Sequence, residues 1–251
     1  GFALLDVWEL CTAYYVKANH FSRKAMESVM ADAGLRPGVL YRRDVAEYAE
    51  AYRLAHQADG EARPTLRGGI AVQQAASMAH PVSMVVAGSA GGKVRSAARL
   101  VAEAAIRSGL WATQRDDYPV TVQSGHSLAE LVLSPEEMPL LNVRVPDVLV
   151  LLSEDGLRRA AASLARMRPE GVVLTLPELG GIETPARVEV LDPAAAGIRL
   201  GKGELALAML AAAVARLELL PAEALRDAAA GGPYGEANLT AVEAGLALAG
   251  R

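Results

Sequence analysis

From Pro81 onward, short apolar runs alternate with stretches of helical period. VSMVVAG (82–88) is an apolar run that ends in glycine, the pattern of a buried strand entering a tight turn. Lys93 to Ser108 follows with Val94, Ala97, Ala98, Val101 and Ala105 at helical spacing. After Asp116 and Asp117 come TVQSG and SLAELVLS, then DVLVLLS (147–153), which reads as a second buried strand. A helix is expected from Glu154 to Met167, strands at GVVLTL (171–176) and RVEVLD (187–192), and helices over 204–219, 221–229 and 236–248. Pro221 suits the first residue of its helix, where no N–H is needed. Strands alternating with helices predict an α/β fold, a mostly parallel Rossmann-like sheet with helices on both faces.

The front of the chain reads differently. Residues 1–57 hold a strand-like run (Phe2 to Trp8) and two helices. The first is capped by Ser22, carries Ala25, Val29 and Met30 on one face, and stops near Gly34 because Pro37 blocks continuation. The second spans Asp44 to Gln57, with Val45, Tyr48, Ala49, Tyr52 and Ala55 on a stripe. Residues 58–80 mix Gly, Pro, charge and small residues without a sustained period, which is linker composition. The expected organisation is a short helical segment (1–57), a linker (58–80) and one α/β domain (81–251).

Composition narrows the function classes. With 52% hydrophobic residues and 22% charged, the chain of 251 residues is no disordered tail. Aromatics are only 4%, so the core must be Ala, Val and Leu, which lets helices sit close on a sheet. The net charge is −4 and no basic stripe occurs, so no nucleic acid is expected as partner. No apolar run reaches the roughly 18 residues of a membrane span, so no membrane is expected either. One cysteine, Cys11, cannot form an internal disulfide, which points to a reducing, cytoplasmic home. The opening GFALLDVWELC has neither a basic n-region nor a cleavage site nor a methionine, and the expectation is a chain that starts inside a longer gene product.

Four places can carry chemistry. GSAGGK (88–93) lies at a strand-to-helix junction, where backbone N–H groups freed of Cβ bulk can cradle an anion. Its spacing matches neither the dinucleotide fingerprint, which needs glycine at Ala90, nor the phosphate loop, which needs glycine at Ala87 and Ser or Thr at Val94. From spacing alone, a tight turn bringing helix against strand is the favoured reading. In QSGHS (123–127), His126 can act as an acid, a base or a ligand contact, or simply sit in a surface loop; no carboxylate stands beside it to orient it. RDDYP (115–119) reads as a solvated turn rather than a cation site. Cys11 alone reads as a small buried hydrophobe, since a tetrahedral thiolate site needs about four ligands.

Taken in order, VVAGSAGGKVRSAARLVAEAAIRSGLWATQRDDYPVTVQSGHSLAELVLS, PDVLVLLSEDGL and NLTAVEAGLAL resemble the gamma subunit of 2-oxoacid:ferredoxin oxidoreductases over residues 81–248. The family loop has the form GxGGQGV; here Ala90, Gly92 and Lys93 depart from it. GFALLDVWELC, Asn19 and GLRPGVLYRR resemble the C-terminal end of the thiamine-diphosphate-binding beta subunit, so the chain looks like the rear of a fused beta–gamma polypeptide. The resemblance implies oxidative decarboxylation of a 2-oxoacid with coenzyme A, giving an acyl-CoA, carbon dioxide and reduced ferredoxin. It implies thiamine diphosphate and a [4Fe–4S] cluster in the complete enzyme. Cys11 would be one cluster ligand, and Gly88, Ser89, Gly91, Gly92, Lys93, Gly125 and His126 candidate ligand contacts. Implied partners are the alpha and remaining beta portions and ferredoxin, in a homo- or hetero-oligomer. The alternative is a degenerate gamma-like module with only an assembly or ligand-binding role, which the altered loop supports.

Overall fold

The computed structural model describes residues 3–11, 15–44, 46–57, 71–119, 125–138, 142–231 and 234–250. It divides the chain into two compact units, Gly1–Arg67 and Gly68–Arg251.

The first unit contains helices α1 (Tyr15–Asn19), α2 (Arg23–Asp32) and α3 (Tyr48–Gln57). The Ser22 side chain accepts from the Ala25 N–H at 3.2 Å and so caps α2. At its other end Gly34 takes φ 71°, and the Gly34 and Leu35 N–H groups return to the carbonyls of Ala31 and Met30, closing the helix as the glycine predicts. Neither α1 nor α2 has a buried residue. The strand expected at 2–8 is absent from residues 3–8, which are irregular; Leu4 and Leu5 are each 84% exposed. An alternating run becomes a strand only against a ladder, and the described residues of this unit offer none.

The second unit is built on a six-stranded sheet: β1 (Val82–Ser89), β2 (Trp111–Asp117), β3 (His126–Ser134), β4 (Val148–Leu151), β5 (Val172–Thr175) and β6 (Arg187–Val190). Their order is β2-β3-β1-β4-β5-β6. β1, β4, β5 and β6 pair in parallel, whereas β3 runs antiparallel to both β1 and β2. The sheet is therefore mostly parallel, and its inner strands β4 and β5 are buried at every position, as strands covered on both faces must be.

Helices α4 (Val94–Arg107) and α6 (Leu205–Arg216) cover one face, and α7 (Ala222–Ala230) and α8 (Gly235–Ala249) pack on them from outside. On the other, α5 (Glu154–Leu164) buries Ala160 and Leu164 against Val85, Ala87, Leu149 and Leu151. Residues Ala206 to Val214 of α6 are all buried, so this Ala-rich helix is core throughout. α8 can lie on it because Gly245 has no side chain: a Cβ there would fall 2.2 Å from the Ala208 carbonyl oxygen.

Two further differences from the pattern reading stand out. RDDYP, expected as a solvated turn, begins inside an edge strand, WATQRDD, of which Asp116 and Asp117 are the last two residues. The TVQSG run lies outside the described residues except for Gly125. Residues 71–80, of linker composition, bind to the second unit. The Gln73 and Ala76 N–H groups donate to the carbonyls of Arg107 and Ser108, each at 3.0 Å, satisfying the end of α4.

Candidate functional site

Adjacent parallel strands β1 and β4 send their chains to opposite faces of the sheet, β1 into α4 and β4 into α5. Crevices at the carboxyl ends of such strands are where open α/β sheets bind ligands. The GSAGGK segment sits at this point. Gly88 and Ser89 end β1, Gly91 takes φ 82°, and Lys93 takes φ 55° before α4 begins. The Lys93 side chain at the α4 N-cap makes no capping hydrogen bond, so among the described residues no cap takes up the first-turn N–H groups. α5, by contrast, is capped by Ser153, whose hydroxyl accepts from the Gly156 N–H at 3.1 Å. Gly156 brings the two elements together: a Cβ on it would lie 2.5 Å from the Ala87 carbonyl.

The antiparallel register sets Gly88 opposite Ser127 and Ser89 opposite His126. The Ala90 N–H donates to the Gly125 carbonyl at 2.8 Å, with Gly125 at φ 78°. Gly88, Ser89, Gly91, Gly92, Lys93, Gly125 and His126 thus share one corner, although more than thirty positions separate their two segments. Cys11 belongs to the first unit, where it is exposed. Among the described residues no group of three or more His, Cys, Asp or Glu side chains could hold a metal ion.

Charges missed by the sequence reading frame this corner. Arg159 of α5 binds Asp117 through Nε at 2.7 Å, tying α5 to the edge of the sheet. The same carboxylate lies 3.6 Å from Nε2 of His126, a buried atom with no hydrogen-bond partner. The Ser89 hydroxyl donates to Asp155 at 3.2 Å, and Asp155 also pairs with Arg158. Arg95, in the first turn of α4, binds Asp116 at 3.0 Å and stacks 4.5 Å from the Tyr118 ring centre. The Lys93 ammonium lies 4.9 Å from the ring centre of Tyr234, and its stem fills the space that a side chain at Gly203 would need. Only the doubled acids of RDDYP hinted at any of this; Arg159 carried no signal, because its partner Asp117 is remote in sequence, whereas Arg158 pairs within its own helix with Glu154 and Asp155. A cavity of about 620 Å³ lies elsewhere, beyond the ends of β5 and β6.

Residues 83–248 match the sequence model of the pyruvate ferredoxin/flavodoxin oxidoreductase family. The chain belongs to this family. Solved structures share the fold of this oxidoreductase-family chain. Pyruvate oxidoreductase subunit PORC from Thermotoga maritima superposes with a TM-score of 0.53 at 22% identity, covering 66% of this chain and 96% of its own. The gamma subunit of a keto/oxoacid ferredoxin oxidoreductase from Geobacter sulfurreducens gives 0.52 at 22% identity, over 67% and 98%. A 2-oxoglutarate:ferredoxin oxidoreductase from Magnetococcus marinus, solved with 2-oxoglutarate, coenzyme A and succinyl-CoA, gives 0.56 at 16% identity. There the likeness covers 69% of this chain but only 32% of the larger protein. A search of curated proteins gives no match.

Proposed function

We propose that the chain is the gamma-type part of a 2-oxoacid:ferredoxin oxidoreductase, with coenzyme A as the ligand of its glycine loop and decarboxylation carried out by partner polypeptides. The observation that carries this reading is the family match over 83–248, within which the glycine loop lies at the carboxyl end of β1, beside β4. The acyl-CoA chemistry and the transfer of electrons to ferredoxin are carried over from the family.

The donor set fits coenzyme A. Its phosphates suit the N-terminal end of α4 and the positive charge of Lys93, and Gly91, with open space where a Cβ would stand, leaves the backbone free for close approach. His126 stands across from Ser89 on β3, with Nε2 lying 3.6 Å from the Asp117 carboxylate. Coenzyme A supplies the thiol that accepts the acyl group; this chain's part is to orient it. The described residues do not fit thiamine diphosphate or a complete cluster. They offer no metal-ligand group on which a diphosphate-bound cation could rest, and Cys11 is one thiolate where a [4Fe–4S] cluster takes about four ligands. Cys11 serves as a single shared ligand in a complex with the remaining beta portion.

The alternative is a module that has lost ligand binding and serves assembly alone. Two loop donors favour it, because the Ala90 and Gly92 N–H groups are already spent on Gly125 and Ser89. Calorimetric titration of the full chain with coenzyme A separates the two. Saturable binding, weakened about tenfold by Lys93→Ala through loss of one charged contact, supports the first. Absence of binding leaves the assembly role. Turnover of a 2-oxoacid by the chain alone, given thiamine diphosphate and an acceptor, would refute the assignment of catalysis to partners. Cys11→Ser should lower the iron and sulfide content of the assembled complex.

A further inference from the structure

β6 closes one side of the sheet, and among the described residues no strand pairs with its outer edge. The Arg187 N–H donates inward to Gly171 and the Leu191 N–H to Thr175, so the alternate residues Val188 and Val190 turn their N–H and C=O groups outward. Their side chains are 38% and 54% exposed. On the opposite face Arg187 binds Glu189 at 2.9 Å, and Glu189 also binds Arg216 at 3.0 Å. A groove of about 490 Å³ runs beside the strand, lined by Val190, Leu191, Ala196, Arg216 and Leu248 among others. An unpaired edge is a template for another strand; β6 is short, four residues without proline, and carries Arg187 and Glu189, so only a partner that answers those charges can pair with it.

We propose that β6 joins two copies of this chain, strand to strand and antiparallel, about a two-fold axis through Val188. The strand's own charge pattern selects this occupant and this register. With the axis on Val188, that residue exchanges both outward hydrogen bonds with its copy. Arg187 then faces Glu189 of the second copy, and Glu189 faces Arg187, on one side of the joined sheet. Moving the axis one residue in either direction sets Arg187 against its own copy or Glu189 against its own copy. A two-fold contact must be self-complementary, and this sequence is so in that register alone among the three. Val188 packs against Val188 on the face away from Arg216.

The test is the oligomeric state of the full chain by sedimentation across concentration. Wild type is expected at twice the chain mass. Val188→Pro removes one outward N–H and leaves the β5 ladder intact, and is expected to give a monomer with unchanged circular dichroism. Arg187→Glu and Glu189→Arg each place like charges across the axis and should weaken association at least about tenfold. An equimolar mixture of those two variants restores opposite charges and should re-associate as a heterodimer. A monomeric wild type overturns the proposal. So does a dimer indifferent to Val188→Pro, as association through another surface would give. A mixture no tighter than its parts also overturns it.

Discussion

Gly156→Ala is the sharpest single test of how the fold is held at its proposed site. Gly156 lies in the first turn of α5, over the end of β1. A Cβ would meet the Ala87 carbonyl carbon and oxygen at 2.5 Å and the Gly88 nitrogen at 2.7 Å. Ordinary contact begins near 3.4 Å, so α5 must withdraw by about 0.9 Å. The obstacle is backbone, and no rotamer change relieves it. A gap of that size forfeits a quarter to a half of the dispersion contact of Ala160 and Leu164 with the sheet. Overpacking of this kind costs up to about 3 kcal/mol, against which alanine's helical preference returns about 1. The net expectation is a loss of about 2 kcal/mol, or a Tm lower by roughly 4–8 °C for a domain of this size. Urea denaturation should show a lower midpoint at unchanged slope. The control is Ala161→Gly, exposed on the same helix, where the loss is about 1 kcal/mol from propensity alone. A Gly156→Ala protein as stable as wild type would refute the close-approach account.

Gly245→Ala should destabilise more, by about 3 kcal/mol, because the added Cβ would sit 2.2 Å from the Ala208 carbonyl oxygen and 2.7 Å from the Ala211 Cβ; thermal unfolding reads it. The Arg226–Glu243 pair links α7 to α8 at 2.6 Å, and the hydrogen bond from Arg226, followed by its charge, holds the Glu243 carboxyl below its ordinary value. A lowered folded value means the pair's stabilisation is present above about pH 4.5 and fades as pH falls through the folded value. Glu243→Gln should therefore narrow the stability gap to wild type as pH falls from 7 to 3, with only a small difference at neutral pH because both groups are well exposed.

What the sequence disclosed follows from where each signal is local. The buried runs at 82–88, 147–153 and 171–176 and the helix of 204–219 announce themselves, because burial on both sides requires unbroken apolar stretches. β2 does not: as an edge strand it carries Gln114, Arg115, Asp116 and Asp117, whose partners Arg95, Glu130 and Arg159 come from three other elements. The 2–8 run alternates like a strand, yet alternation names only a face to be covered, not the ladder that would pair it. The glycine loop was visible as composition. Its meeting with Gly125 and His126 was not, for that depends on the register of β3 on β1, which no local pattern contains.

The hydrogen bonds from Gln73 and Ala76 to the end of α4 bear on where this protein can be cut. Trimming to Pro81, where the first strand begins, would strip two carbonyls of their donors, part Gln74 from Asp227, and bare the surface under Ala76 and Met78. The smallest piece that keeps these contacts begins no later than Val72, so a protease nick between 72 and 80 should loosen a domain whose strands all lie downstream of it.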